Sequence, residues 1–276
     1  MTVQIVTDSS ADLPPGFAAE HGVTVVPLQV LIEGVNYKDG VDLTPEQFYE
    51  KMRASKKLPQ TAQPCPHDMQ VAYEAAARKG PVIGVHLSSA LSGTYQTAVS
   101  IARSISPSIR VFDSLTGSGG LARLIREAVH MAGAGASAEE IENRCRELRG
   151  PSRTVVLLNT LENAIKGGRV NPLAGMAAGV LGIKAIVYVN DAGAVEVIDK
   201  VRGRGRALAR LLDMAAESAG DWHDRVVAVC HGLVPEEAEA FAAQVRARFH
   251  PKEIIMSTIS ATIGTYAAEG AILFSY

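Results

Sequence analysis

The chain has 276 residues, 47% hydrophobic and 20% charged, enough to bury a sizeable core in one large or two modest domains. A formal net charge of −2 argues against a general nucleic-acid binder, because counterion release needs a clustered excess of Lys and Arg. Cys65, Cys145 and Cys230 stand far apart with no CxxC pair, the pattern of reduced thiols in a cytoplasm.

The opening MTVQIVTDSSADLPP lacks a basic and an apolar leader region, so it does not read as a signal peptide. Short β-branched runs then alternate with Ala-rich amphipathic stretches. VQIVT (3–7), TVVPLQV (24–30), VIGVHL (82–87) and IRVFD (109–113) predict strands. PEQFYEKMRAS (45–55), HDMQVAYEAAARKG (67–80), YQTAVSIARSI (95–105) and GGLARLIREAVHMAGAG (119–135) have helical spacing. Such alternation predicts a parallel sheet covered by helices. Ser137 with Glu140 three residues on predicts a capping box and another helix.

Near residue 150 the pattern changes. PSRTVVLLN, GIKAIVYVN, AVEVIDKV, DRVVAVCHG, KEIIMSTIS and AILFSY predict strands, with helices over 205–220 and 236–249. The turn residues at 190–193 predict a hairpin. NPLAGMAAGVLGI (171–183), the longest uncharged apolar stretch, is too short to span a bilayer. The expectation is a soluble cytoplasmic α/β protein: a parallel-sheet α/β domain over 1–150 and an α+β domain over 151–276.

Four constellations could carry chemistry. TDSSADLP (7–14) follows the first strand, where a parallel sheet delivers residues to a crevice; Asp8 and Ser9 are candidates there, or Ser10 or Asp12 simply caps a helix. TAQPCP (61–66) is a rigid Pro-bounded loop presenting Thr61 and Gln63. Ser88, Ser89, Ser92 and Thr94, with Gly93 among them, crowd the start of a helix, where unpaired N–H groups and small hydroxyls suit a carboxylate or phosphate. The fourth is basic: IKGGRV (165–170), whose glycines imply an unusual turn aiming Arg169, and KVRGRGR (200–206). No histidine pair has metal-ligand spacing, and no cofactor motif occurs. Asp8 and Asp113 are read as organising the Ser-rich loops.

Together VTDSSADLP, VVPLQVLIEGVNYKDG, TAQPCP, SSALSGTYQTA, VFDS, LENAIKGGRV, IKAIVYVNDAGAVEVIDKVRGRGRAL and GTYAAEGAILF resemble the DegV family in order and spacing. These are the fatty-acid-binding subunits of bacterial fatty acid kinases. The resemblance implies one long-chain fatty acid held between two domains and presented to a separate ATP-dependent kinase subunit, which makes the acyl phosphate for phospholipid synthesis. It implies a carrier without catalytic residues, metal or cofactor, with no membrane span and with transient membrane contact left open. The family's carboxylate-binding Thr matches Thr61 and the Ser of its LSGTY motif matches Ser92. Its KVR and GGR arginines match Arg202 and Arg169, read as facing the kinase or steadying the phosphate. The family's GTHTGPG stands here as GTYAAEG, so Tyr266 takes the place of a His beside the carboxylate and Glu269 that of a Pro. Gly93 and Thr94 join Asp8 and Ser9 as candidates to line the crevice. The competing reading is a serine-dependent hydrolase or acyl transferase using Ser92 or Ser9, with His86 as the nearest base.

Overall fold

A computed structural model describes residues 2–171, 182–218 and 220–276. The 172–181 portion of the apolar stretch singled out above therefore lies outside the described residues. In chain order the elements are β1 (Gln4–Asp8), a single 3₁₀ turn (Ser9–Ala11), α1 (Phe17–Glu20), β2 (Thr24–Val26), β3 (Gln29–Ile32) and β4 (Val35–Lys38). Then come α2 (Pro45–Ala54), β5 (Gln60–Ala62), α3 (Pro66–Ala77), β6 (Val82–His86), α4 (Thr94–Ile105), β7 (Arg110–Asp113), α5 (Gly119–Gly133) and α6 (Ala138–Arg149). After residue 150 follow β8 (Thr154–Leu158), α7 (Glu162–Lys166), β9 (Ile183–Val189), β10 (Val195–Arg202), α8 (Arg204–Ala216) and β11 (Val226–His231). The chain closes with α9 (Pro235–Phe249), β12 (Glu253–Thr258), α10 (Ala261–Ala267) and β13 (Ile272–Ser275).

Three sheets organise these elements. The first is parallel, in the order β2-β1-β6-β7. Its two faces are covered by different apolar clusters. Val3, Ile5, Ile83 and Val85 pack on Leu121, Ile125 and Ile141 of α5 and α6, while Val6 and Val82 pack on Met69, Tyr73 and Ala98 of α3 and α4. Burial on both faces is what the near-continuous apolar β6 (VIGVH) requires. The capping box at Ser137 is present with both of its hydrogen bonds.

The second sheet has six strands, β10-β9-β8-β13-β11-β12, and is mixed: only β11 and β12 pair parallel. One face packs on α8 and α9 through Leu211, Leu212, Phe241 and Val245. The opposite face, with Val156, Leu158, Val187 and Leu273, turns toward α7 and α10. The β9–β10 hairpin forms where the turn residues place it.

The third sheet, β4-β3-β5, is antiparallel and departs from the sequence expectation. TVVPLQV does not form one strand: β2 ends at Val26, Pro27 interrupts the ladder, and β3 restarts in a different sheet. Thr61 accordingly lies on β5, paired with Val30, and not in a free loop. This sheet packs with α2 against Ala261 of α10, so a segment of the first half wraps onto the second. Among the described residues no helix is long and apolar enough to cross a membrane.

Candidate functional site

An apolar cavity of about 230 Å³ lies where the small antiparallel sheet and the six-stranded sheet meet the loops that follow β6 and β7. Leu28, Leu87 and Leu91 reach it from the first half, and Val156, Leu158, Val187 and Leu273 from the inward face of the six-stranded sheet. The polar side chains in its lining are Thr61, Gln63, Ser92, Ser118, Thr154, Arg169, Thr262 and Tyr266. Apolar walls with a few convergent polar groups suit a ligand that is mostly hydrocarbon with one hydrophilic end.

Each polar side chain is delivered by a definite element. Thr61 sits on β5, and Tyr266 sits on α10, five residues beyond Ala261 where that helix begins. Their hydroxyls meet at 2.6 Å, so the carboxylate candidates from opposite ends of the chain form one hydrogen-bonded pair. The GTYAAEG segment is helical through Ala267. Ala268 then ends the helix at φ 61°, ψ 174°, a region in which side chains cost roughly 1–3 kcal/mol. The segment is tied down by a salt bridge from Arg53 of α2 to Glu269 at 2.9 Å and by Asn159 Nδ2 donating to the Glu269 carbonyl.

Arg169 follows α7 in the turn that its glycines shape, Gly168 standing at φ 75°. Its guanidinium lies 4.5 Å from the centroid of the Tyr266 ring and donates to the carbonyls of Gly167 at 2.7 Å and Leu91 at 3.3 Å. Gly167 is needed for this stack, since a Cβ there would fall 2.2 Å from Tyr266 Cε1. Arg169 therefore lines the cavity and bridges the halves. Arg202, expected to share its role, ends β10 as an exposed residue that does not line the cavity. Arg204 nearby is structural: it pairs with Glu237 and donates to Asn159 Oδ1 at 2.8 Å and the Gly270 carbonyl at 2.6 Å.

At the start of α4 only part of the hydroxyl cluster reaches the cavity. Ser92 and Gly93 line it. Thr94 is fully buried behind them, its Oγ1 2.8 Å from Ser92 Oγ. Ser88 donates to the Gly193 carbonyl at 2.8 Å and so fastens the loop to the β9–β10 turn.

Asp8, Ser9 and Thr94, expected along the crevice, lie behind the cavity wall. None lines the cavity, because each is engaged in holding loops together. Asp8 is fully buried and accepts from the Leu87 N–H at 3.0 Å and from Ser10, with His86 Nδ1 at 2.9 Å. Ser9 donates to Asp39 at 3.1 Å and accepts from the Leu28 N–H at 3.0 Å. Asp113 likewise accepts from the Ser89 and Leu115 N–H groups.

Sequence reasoning gave Asp12 only a helix-capping role and did not single out Asp39 or Thr262. Asp12 accepts from Ser118 and from the Ser260 N–H at 2.9 Å, while Ser257 donates to its carbonyl. Asp39 accepts from the Ala261 and Thr262 N–H groups, each at 3.1 Å. Burial is the largest cause that pushes the Asp12 carboxyl up to about 7, and it raises Asp39 as well. The NYKDG segment carrying Asp39 was a visible signal, but only the fold brings it to α10.

The hydrolase reading loses its base. His86 is fully buried, with Nδ1 facing Asp8 and Nε2 2.8 Å from the Tyr73 hydroxyl. Ser92 Oγ instead meets the hydroxyl and N–H of Thr94. Among the described residues no three His, Cys, Asp or Glu side chains gather to hold a metal ion.

Fold and site thus define an α/β protein of three sheets with a mostly apolar cavity that carries a few polar side chains. The DegV family, described as an uncharacterised protein family, matches residues 2–276. The chain belongs to the DegV family. It is 35% identical over 272 residues to a DegV domain-containing protein of Caldanaerobacter subterraneus subsp. tengcongensis, covering 98% of this chain and 96% of that one. Identity to a DegV domain-containing protein of Halalkalibacterium halodurans is 34% over 278 residues, 99% and 98% covered. Among solved structures, a Thermus thermophilus DegV family protein described by its fatty acid binding superposes with a TM-score of 0.91 at 26% identity, covering 100% and 99%. The Bacillus subtilis DegV, described as a fatty acid binding protein, gives 0.88 at 28% identity, covering 100% and 98%.

Proposed function

We propose that this protein binds one long-chain fatty acid in the cavity, its carboxylate at Thr61, Ser92 and Tyr266 and its acyl chain along the Leu and Val walls. The observation that carries the reading is the side-by-side placement of the Thr61–Tyr266 hydroxyl pair and the Arg169 guanidinium on a mostly apolar cavity. Neutral hydroxyls suffice to hold an anion, each hydrogen bond to a charged group contributing roughly 1.5–3 kcal/mol. The fatty-acid-binding descriptions of the Thermus and Bacillus relatives support the same ligand. On this reading the two halves, 1–150 and 151–276, are domains that enclose the ligand. The protein is a cytoplasmic carrier, not the catalyst, and presents the carboxylate to a separate ATP-dependent kinase subunit that forms the acyl phosphate.

Organic extraction of the purified protein followed by mass spectrometry tests the ligand, with one C14–C18 acid per chain expected. Thr61→Val combined with Ser92→Ala should weaken acid binding by at least about tenfold while leaving the methyl ester nearly unchanged. Equal losses for acid and ester would mean that the carboxylate is not read there.

A further inference from the structure

We infer that Asp39 is a positioning residue for the polar end of the cavity, holding through one hydrogen-bond network both partners of the Thr61–Tyr266 pair. Its carboxylate is 3% exposed and accepts from four groups. These are Ser9 Oγ at 3.1 Å, the N–H groups of Ala261 and Thr262 at 3.1 Å each, and Thr262 Oγ1 at 2.5 Å. A carboxylate is costly to bury unless so satisfied, which makes the arrangement rigid.

One branch of the network fixes Tyr266. Thr262 lies in the first turn of α10, and Tyr266 lies four residues further on, on the same helix face. Gripping the Thr262 hydroxyl together with two N–H groups sets both the start of this short helix and its rotation. The other branch fixes Thr61. Ser9 Oγ accepts from the Leu28 N–H at 3.0 Å, and the Asp39 N–H donates to the Leu28 carbonyl at 2.9 Å. Leu28 immediately precedes β3, whose Val30 is the register partner of Thr61 on β5. The Asp39 carboxylate therefore holds the helix directly and the strand pair through Ser9, with its own backbone N–H as a second tie, and the hydroxyls they carry meet at 2.6 Å.

The test uses Asp39→Asn, whose amide turns N–H groups toward a donor and so loosens α10. In its crystal structure the Thr61 and Tyr266 hydroxyls should part beyond roughly 3.5 Å, past hydrogen-bond range, with the sheets intact. A pair still in contact overturns the inference. A binding arm rests on the fatty-acid reading. Asp39→Asn should weaken acid binding by about tenfold in the native background and by a smaller factor when combined with Tyr266→Phe, the remainder coming from the Thr61 branch. Equal losses in both backgrounds would make Asp39 a general stabiliser and overturn its role through Tyr266. If Tyr266→Phe alone leaves acid binding unchanged, the ligand role of Tyr266 fails, and the crystallographic arm still decides the positioning. Should Asp39→Asn not fold, Ser9→Ala removes one branch and is expected to shift the pair in the same direction, by less; an unmoved pair overturns the inference.

Discussion

Tyr266 joins three kinds of chemistry at one residue. Its hydroxyl pairs with Thr61, its ring carries the Arg169 guanidinium, and its edge fits only because residue 167 is glycine. The family pattern has a histidine here, which would titrate near neutrality. The tyrosine here offers a hydroxyl that can donate one hydrogen bond. Tyr266→Phe should therefore cost roughly 1.5–3 kcal/mol of fatty-acid binding, the value of a hydrogen bond to a charged acceptor. Tyr266→His should recover part of this and bind more tightly as pH falls from about 8 to about 6.5, where imidazole gains its proton. Titrations of the three proteins at both pH values check it. If Phe matches Tyr and His adds no pH dependence, the residue only packs at the cavity edge. The hydroxyl-rich loop at 88–94 drew notice in the sequence because four such residues exceed what a helix cap needs. Sequence alone could not say that only Ser92 faces the cavity while Ser88 and Thr94 turn inward, since that depends on loop backbone set by distant partners.

At the scale of elements, α10 is among the short pieces that sequence reading did not find. Seven residues give too little periodicity to separate a helix from a loop, and its start is held by Asp12 and Asp39 from the other half of the chain. The longer elements were legible because their apolar spacing spans several turns or a whole strand. The β4-β3-β5 sheet was not, because its strands of three or four residues gain stability from α2 and α10 and carry little pattern of their own. Asp12 adds a pH signature to this junction. The groups facing it are Asp39, the Tyr49 phenol and the Cys230 thiol, along with hydroxyl donors, and burial holds its carboxyl near 7. A folded-state pKa above the unfolded value means that the native state binds the proton more tightly. The stabilisation is present in full below about pH 4 and is lost as pH rises to about 7, in total about 4 kcal/mol. Asp12→Asn abolishes this titration while keeping an acceptor for the Ser260 N–H. Urea unfolding should show the variant gaining on the native protein by several kcal/mol between pH 4 and pH 8. A stability difference that is the same at both pH values would mean that Asp12 does not titrate in this window.

The whole molecule is built so that its cavity belongs to neither half. Leu91 and Ser92 come from the loop before α4, Thr61 from the small antiparallel sheet, and Arg169 and Tyr266 from the region beyond residue 150. Arg169 is the cross-tie: its guanidinium donates to the Leu91 carbonyl while it covers the ring of Tyr266. Sequence resemblance gave Arg169 and Arg202 one shared role, but the fold separates them. Arg169 stands beside the proposed carboxylate, whereas Arg202, exposed at the end of β10, is not among the residues that line the cavity. A guanidinium beside a bound carboxylate contributes charge-assisted attraction, and its removal also loosens the Leu91 loop. Arg169→Ala should therefore weaken fatty-acid affinity by about tenfold or more. Arg202→Glu should leave that affinity unchanged, because an exposed charge away from the ligand is screened by solvent. If Arg202 forms part of a docking face, its reversal should instead suppress acyl phosphate formation by the kinase subunit, through loss of charge complementarity. Fatty-acid titration and a kinase-coupled acyl phosphate assay on both variants separate these outcomes. Equal loss of acid binding in the two variants would contradict the division, since it would require Arg202 to reach a ligand that its place on β10 keeps it from touching.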